Sequence, residues 1–306
     1  MIVNKAALDG IFRNLRAEFN SAYAEAAVTW MAIATLVSSS TAREDYRWFS
    51  RFPQMRRWVG ERTIKSLSAF GYNVPNEDFE STIAVLRNDI QDDNLGIYAT
   101  QARGAGISAK LWPDELVYEA VNNAFDAAKG KCHDGKAFFA ADHPLSGAPA
   151  YSNLLTAQLK ADSLANAMAS FGKARTRLET MTDEEGRPMG TTANVLLVPP
   201  ALRDTGSILL NSDRLGQNEP NPYKGAAELV VSPRLTSATA WFVLHTMGVL
   251  KPFIFQQRQA PELVQQMDPA MHERAFMRKE YLFGVDSRGA AAYGLPQCAV
   301  GSDGST

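Results

Sequence analysis

Apolar residues recur at three- and four-residue steps near the start of the chain, at Leu8, Ile11, Phe12, Leu15, Phe19, Tyr23, Ala27 and Trp30, while Arg13, Arg16, Glu18 and Glu25 fall mostly off that stripe. The spacing predicts an amphipathic helix with one face to bury. From Phe79 the period shortens. Phe79, Ser81, Ile83 and Val85 alternate with Glu80, Thr82, Ala84 and Leu86, which predicts a strand. "GERTIKSLSAF" precedes it, with the turn-forming "GYNVPNED" between, so residues 58 to 90 read as a long β-hairpin arm. Its flanks mix polar and apolar side chains, among them Lys65, Ser66, Ser68, Glu80 and Thr82. A two-stranded ribbon without a buried face is marginal alone, so the arm is expected to lie against another subunit.

Two helical pieces are expected next, from Asp92 to about Ala109 and from Pro113 to Lys129. Asp92 and Asp93 suit a helix start, where carboxylates meet unsatisfied N–H groups and the positive dipole end. Pro113 suits a first helical position, Asp114 and Glu115 complement that end, and Gly130 is placed as a cap. "RGAG" at 103 to 106 is expected to weaken or bend the first piece. Leu164, Met168, Phe171, Leu178 and Met181 trace a further helical stripe, and "NVLLVPP" reads as a buried strand followed by a helix that prolines start. "AELVVSP", "AWFVLH", "PFIFQ" and "MRKEYLFGV" supply returning strands, and the tail "GSDGST" is expected to be loose. The order of helix, hairpin, long helix, α/β insert and strands places the chain in the α+β class.

Composition changes this picture little. At 306 residues the chain holds one elaborated domain or two modest ones, and 45% hydrophobic with 21% charged residues is ordinary for a globular protein. A formal charge of −2 provides no cationic field to gather nucleic acid, which argues against a dedicated DNA-binding module. Cys132 and Cys298, far apart and in no CxxC pair, form neither a disulfide framework nor a zinc ribbon. No secretory signal is visible, and the longest apolar run, Ala26 to Val37, is too short to span a membrane. Synthesis in the cytosol is expected.

The strongest chemical candidate is "CHDGKAFFAADHP", which brings Cys132, His133, Asp134, Asp142 and His143 together in sequence. Sulfur, nitrogen and oxygen ligands so close suit zinc or iron in principle, but their spacing matches neither HExxH nor paired CxxC. Two turns explain the same residues, because Asp bonds to nearby backbone and proline restricts the residue before it. His245 and His272 have no evident partner and read as structural or solvated. No Walker or dinucleotide fingerprint is present. "RNDIQDDNLG" fails as an EF-hand, since counting from Asp89 puts Asn94 where glycine belongs and Thr100 where glutamate belongs. No metal, cofactor or catalytic residue is assigned.

"MRRWVGERTIKSLSAFGYNVPNEDFESTIAVLRNDIQDDNLGIY", "CHDGKAFFAADHPLSG", "YSNLL", "GAAELVVSPRL" with "WFVL", and "KPFIFQQRQAPEL" together resemble the major head (capsid) protein of Mu-like bacteriophages and prophages. The resemblance runs through nearly the whole chain and is densest at 54 to 98, 131 to 155 and 225 to 263. It implies the HK97-type capsid fold, with an N-terminal arm over 1–53, an extended β-hairpin E-loop over 54–91, a peripheral domain with a spine helix over 92–150 and 250–306, and an axial α/β domain over 151–249. It further implies a non-catalytic subunit that assembles in the host cytoplasm into the pentamers and hexamers of an icosahedral virion shell. Portal, scaffold or protease, and decoration proteins would be its partners, with non-specifically enclosed double-stranded DNA and no membrane. Glu61, Lys65, Arg87 and Asp89 are then expected to set register between subunits by charge, and Phe70, Tyr72 and Phe79 to anchor the arm. A stabilising role for those aromatics within one subunit is the competing reading. An encapsulin-like compartment shell shares the fold and is the runner-up; a metal-dependent hydrolase built on Cys132 to His143 is the alternative from another class.

Overall fold

The computed structural model describes residues 5–46, 72–92, 96–145, 148–183, 186–265 and 273–306. Its first element, α1 (Lys5–Glu25), buries Leu8, Ile11, Leu15, Phe19 and Ala22 on one face. The helix stops before Trp30, whose ring instead meets Phe255 edge-on at 5.2 Å between centroids. Then come β1 (Ala34–Ser38), β2 (Arg43–Asp45), β3 (Asn73–Pro75), β4 (Glu77–Leu86), the short α2 (Arg87–Gln91) and the long α3 (Gly96–Asn123). The middle of the chain supplies β5 (His143–Leu145), β6 (Ala148–Tyr151), β7 (Leu154–Leu155), α4 (Leu164–Ala167), α5 (Lys173–Glu179), β8 (Val195–Val198), α6 (Arg203–Asn211), β9 (Glu228–Val231) and β10 (Trp241–Leu244). The chain closes with β11 (Phe253–Gln265), α7 (Glu273–Met277), β12 (Glu280–Tyr293) and β13 (Ala299–Ser302).

Two sheets organise these elements. The first runs β1-β11-β12-β4, and the second runs β7-β13-β10-β8-β9. In the first, β11 and β12 form a long antiparallel pair, with β1 added in parallel on one side and β4 antiparallel on the other. Phe253 and Phe255 point from β11 into a cluster with Trp30, Trp112, Val117 and Val121 that continues to Leu197, Phe242 and Leu244 of the second sheet. Farther along, Ile83, Val85, Leu263, Phe283 and Val285 are covered by α1 and α3. The opposite face of β11 carries Ile254, over which the small β2–β3 ribbon lays Tyr46 and Val74.

Several sequence expectations change. The alternation over Phe79 to Val85 is real, and Ile83 and Val85 are its buried face. However, β4 pairs along its whole length with Glu280–Gly289 of the same chain, so it is a strand of the first sheet and not half of a free ribbon. "GERTIKSLSAF" lies outside the described residues, and "GYNVPNED" contributes β3, which pairs with β2.

The helices differ too. Asp92 ends α2 as its C-cap instead of starting a helix, and Asp93 lies outside the described residues. The two expected pieces are one helix, α3, which begins at Gly96 and runs through Pro113. Asp114, buried, does not serve the end of α3. Its Oδ1 accepts from the backbone N–H groups of Thr29 at 3.0 Å and Trp30 at 2.6 Å, capping the turn that follows α1. Around "RGAG" the glycine serves proximity. A Cβ on Gly106 would stand 2.4 Å from the Phe19 carbonyl oxygen, so only glycine lets α3 approach α1 this closely.

The helical stripe over 164 to 181 changes phase at a π-turn, Met168–Gly172, which leaves Met168 54% exposed while Phe171 and Leu178 stay buried. Residues 299–302, expected with the peripheral domain, form β13 inside the second sheet beside β10. The tail is tied down, with Thr306 N donating to Thr156 O at 2.9 Å and Gln158 N to Thr306 O at 2.8 Å.

Candidate functional site

The "CHDGK…ADHP" segment folds into a buried polar cluster. Lys131 and Ala137 pair across a tight turn in which Gly135 takes φ +80°, which brings Cys132 and Asp134 to one side, and β5 delivers His143 against them. Cys132 Sγ, an Asp134 oxygen and a His143 ring nitrogen all lie within 4.8 Å of one another, close enough to raise metal coordination.

Hydrogen-bond bookkeeping explains the cluster without a metal. Cys132 Sγ–H donates to Asp134 Oδ1 at 2.9 Å, and Lys136 N donates to the same oxygen at 3.0 Å. Asp134 Oδ2 lies 2.6 Å from His143 Nδ1. On the far side of the ring, Nε2 is 3.1 Å from Asn153 Oδ1. The Asn153 amide has one possible orientation. Its Nδ2 donates to Phe138 O at 2.8 Å and Pro296 O at 3.1 Å, while its Oδ1 accepts from Ala140 N at 2.9 Å. Oδ1 therefore faces His143 as an acceptor, and Nε2 must carry a proton. At 2.6 Å, Nδ1 and Asp134 Oδ2 must then share one proton, which makes a short, fully buried hydrogen bond between the ring and the carboxyl group.

The same contacts set how the acidic groups titrate. Burial pushes the Asp134 carboxyl up, but hydrogen bonds from His143, Cys132 and the Lys136 amide outweigh it and hold the group well below the usual carboxylate range. Burial drives the Cys132 thiol up, and the Asp134 charge adds to it. Burial likewise pushes Cys298 up to about 12. Neither thiol has the lowered pKa of a nucleophile or a ready metal ligand. Burial also lowers His133. Asp142 is outside the cluster, in an exposed pair with Lys136. His245 takes the Thr192 amide at its Nδ1, 3.1 Å away, and His272 lies outside the described residues. The cluster ties the 130–145 segment to Asn153 and to the backbone at Pro296, which is structural work.

The expected assembly residues are scattered. Glu61, Lys65 and Phe70 lie outside the described residues. Tyr72 is engaged within its own chain, its hydroxyl accepting from Tyr293 N at 3.1 Å and its ring 6.2 Å from that of Tyr46. Phe79 packs on Trp112 with ring centroids 5.1 Å apart. Both aromatics thus have partners inside the subunit. Asp89, expected on the arm and open to a neighbour, sits in α2 and accepts the Tyr98 hydroxyl. Arg87 also belongs to α2; its backbone N–H donates to Lys279 O at 2.8 Å and its side chain is exposed. Residues that sequence reasoning missed are Tyr46, Asn76 and Gln256, which hold the two ends of segment 47–71 on the first sheet. The one sequence signal was the polar Gln256 in an apolar strand. Among the described residues no helix is long and apolar enough to cross a membrane.

Comparison with known proteins matches this architecture. The family model described as "Mu-like prophage major head subunit gpT" aligns with residues 8–165, 156–235 and 236–305. The major capsid protein of Escherichia phage Mu is 29% identical over 304 residues, which cover 99% of this chain and 76% of that protein. The procapsid subunit of bacteriophage JBD30 superposes with a TM-score of 0.59 at 29% identity, covering 98% of this chain and 76% of that one. The JBD30 capsid decorated with minor capsid protein trimers gives a TM-score of 0.60 at 25% identity, over 70% of this chain and 92% of that one. The α+β architecture is that of HK97-type capsid proteins. Matched by that model along almost its entire length, the chain belongs to the Mu-like prophage major head subunit gpT family.

Proposed function

We propose that copies of this major head subunit close into the pentamers and hexamers of an icosahedral shell around double-stranded DNA, with no catalysis of their own. Each contact between copies is weak and repeated, so avidity makes the lattice strong. The small net charge of −2 suits close packing of many copies and enclosure of DNA without tight binding. Assembly in the host cytoplasm, with portal, scaffold or protease and decoration proteins as partners, goes with this reading. Decoration has a parallel in the minor capsid protein trimers on the JBD30 capsid.

The domain plan carries over as a proposal in adjusted form. Residues 1–53 are the N-terminal arm, α3 is the spine helix of the peripheral domain, and the second sheet with α4 to α6 is the axial domain. The E-loop of 54–91 gives up its C-terminal part, because 77–86 is committed to the first sheet, and what remains lies within segment 47–71. One observation supports an arm there above the rest. Tyr46 N donates to Tyr72 O at 2.9 Å, so the residues that flank segment 47–71 are held side by side. Glu61, Lys65, Phe70 and Arg87 remain the residues proposed to meet a neighbour. For Tyr72, Phe79 and Asp89 the partners within their own subunit favour a stabilising role there.

The test is negative-stain microscopy of purified protein across a concentration series. Rings, shells or tubes are expected. A strictly monomeric protein at high concentration, with no particles even beside other head proteins, would overturn the reading. Particles that package an enzyme in place of DNA would favour the encapsulin-like alternative.

A further inference from the structure

Gln256 is an unusual residue for its place. It lies in β11 directly after Phe253, Ile254 and Phe255, all buried, and is itself 0% exposed. An apolar side chain would fill this position without cost, whereas a buried amide is costly unless its groups are bonded. They are. Oε1 accepts the Tyr46 hydroxyl at 2.7 Å, and Nε2 donates to Val74 O at 3.2 Å and Asn76 Oδ1 at 2.7 Å. From Asn76 the network continues outward, its Nδ2 donating to Ser39 Oγ and to Thr41 O, each at 2.9 Å. Ser39 Oγ–H in turn donates to Glu44 at 2.8 Å.

These bonds join elements that apolar contact alone would leave free to slide. Tyr46, Val74 and Ile254 pack together, but such packing has no direction. Gln256 fixes the β2–β3 ribbon to one register position on β11, and the Tyr72 hydroxyl fixes it to Tyr293 on β12. Tyr46 and Tyr72 bracket segment 47–71. We propose that Gln256 is a positioning residue for shell assembly, fixing on the first sheet the two residues, Tyr46 and Tyr72, that flank segment 47–71. This rests on the reading of that segment as the assembly arm. Buried polar groups that specify one geometry are best attested where a register is at stake, which is the case here.

The experiment uses the full chain in three forms beside the wild type. Tyr46→Phe/Gln256→Met removes both partners of the central bond and replaces them with apolar groups of similar shape, while Val74 O and Asn76 Oδ1 lose the Gln256 donor, so some stability is lost as well. Tyr46→Phe alone is the milder variant. A third form replaces residues 48–70 with a short Gly-Ser link. The double variant is expected to remain folded with a lowered melting temperature, while its closed shells of normal diameter fall at least about tenfold, a loss of ~1.4 kcal/mol or more in assembly, with open sheets or misshapen particles in their place. Normal shells at wild-type yield from a folded double variant overturn the proposal. Should that variant not fold, Tyr46→Phe decides: a normal diameter distribution overturns the proposal and a broadened one supports it. The excision form tests the underlying reading separately, since normal shells from it would show that 47–71 is not the arm, whatever Gln256 does.

Discussion

Gly106 of α3 lies against the carbonyl oxygen of Phe19 on α1, where an added Cβ would stand 2.4 Å from it. The obstacle is backbone, flanked by the Tyr23 nitrogen at 3.2 Å, and cannot rotate away. Gly106→Ala is expected to push the helices apart and cost about 1–3 kcal/mol. Gly104 stands two residues earlier on the same helix with nothing near its Cβ position, so Gly104→Ala should instead stabilise by up to about 1 kcal/mol through helix propensity. Thermal unfolding of the two variants should move in opposite directions. A like shift in both would mean that helix propensity, and not the α1–α3 contact, governs this region.

The buried Asp134–His143 pair gives a pH dependence with a definite sign. A carboxyl whose folded pKa is depressed stabilises the fold fully above its unfolded value, near 4, and loses that contribution as pH falls toward the folded value. Stability should therefore be insensitive to Asp134 from neutral pH down to about 5 and fall below about 4. Asp134→Ala leaves the buried Cys132 and His143 groups and the Lys136 amide without their shared partner and is expected to cost about 1–3 kcal/mol at pH 7. Urea unfolding at a series of pH values checks both. An acid limb in the variant as steep as in the wild type would assign the loss to other carboxylates.

How much of this was legible beforehand follows from the range of the interactions. Local signals held: the buried stripe of α1, the alternation of β4 and the strand of "NVLLVPP" all follow from side-chain period. What failed depended on partners distant in sequence. Pro113 and Asp114 look like a helix start until Asp114 is seen capping Trp30 from across the fold. Gly104 and Gly106 look equivalent until Phe19 arrives. Asp89 looked available to a neighbour because nothing local revealed the Tyr98 hydroxyl that takes it. The assembly reading came from the resemblance as a whole, while the Tyr46–Gln256 bond spans 210 positions, and its one local trace is a polar residue in an apolar strand.

Both cysteines should resist thiol reagents in the folded subunit. Cys132 and Cys298 are buried, and burial raises both thiols, so little thiolate forms near neutral pH. Alkylation at pH 8 followed by intact mass is expected to add no label to native protein and two labels after denaturation. Rapid labelling of one cysteine in the native state would show that its segment opens locally.

Phe79 decides between the two readings of the arm's aromatics. It is half-buried at the outer end of a run of rings in which Trp112 lies between it, at 5.1 Å, and Phe255, at 5.2 Å; Phe255 in turn meets Trp30. Complete burial would put the cost of Phe→Ala at about 3–5 kcal/mol, so a half-buried ring should lose about 2 kcal/mol. An inter-subunit anchor would behave otherwise, because truncating it would leave the isolated subunit's unfolding unchanged and weaken only assembly. Phe79→Ala is therefore expected to lower the unfolding midpoint of unassembled subunits, with particle formation affected only to the extent that folding is. Measured on dissociated subunits by chemical unfolding, an unchanged midpoint together with lost particles would return Phe79 to the interface and place a neighbouring copy over Trp112.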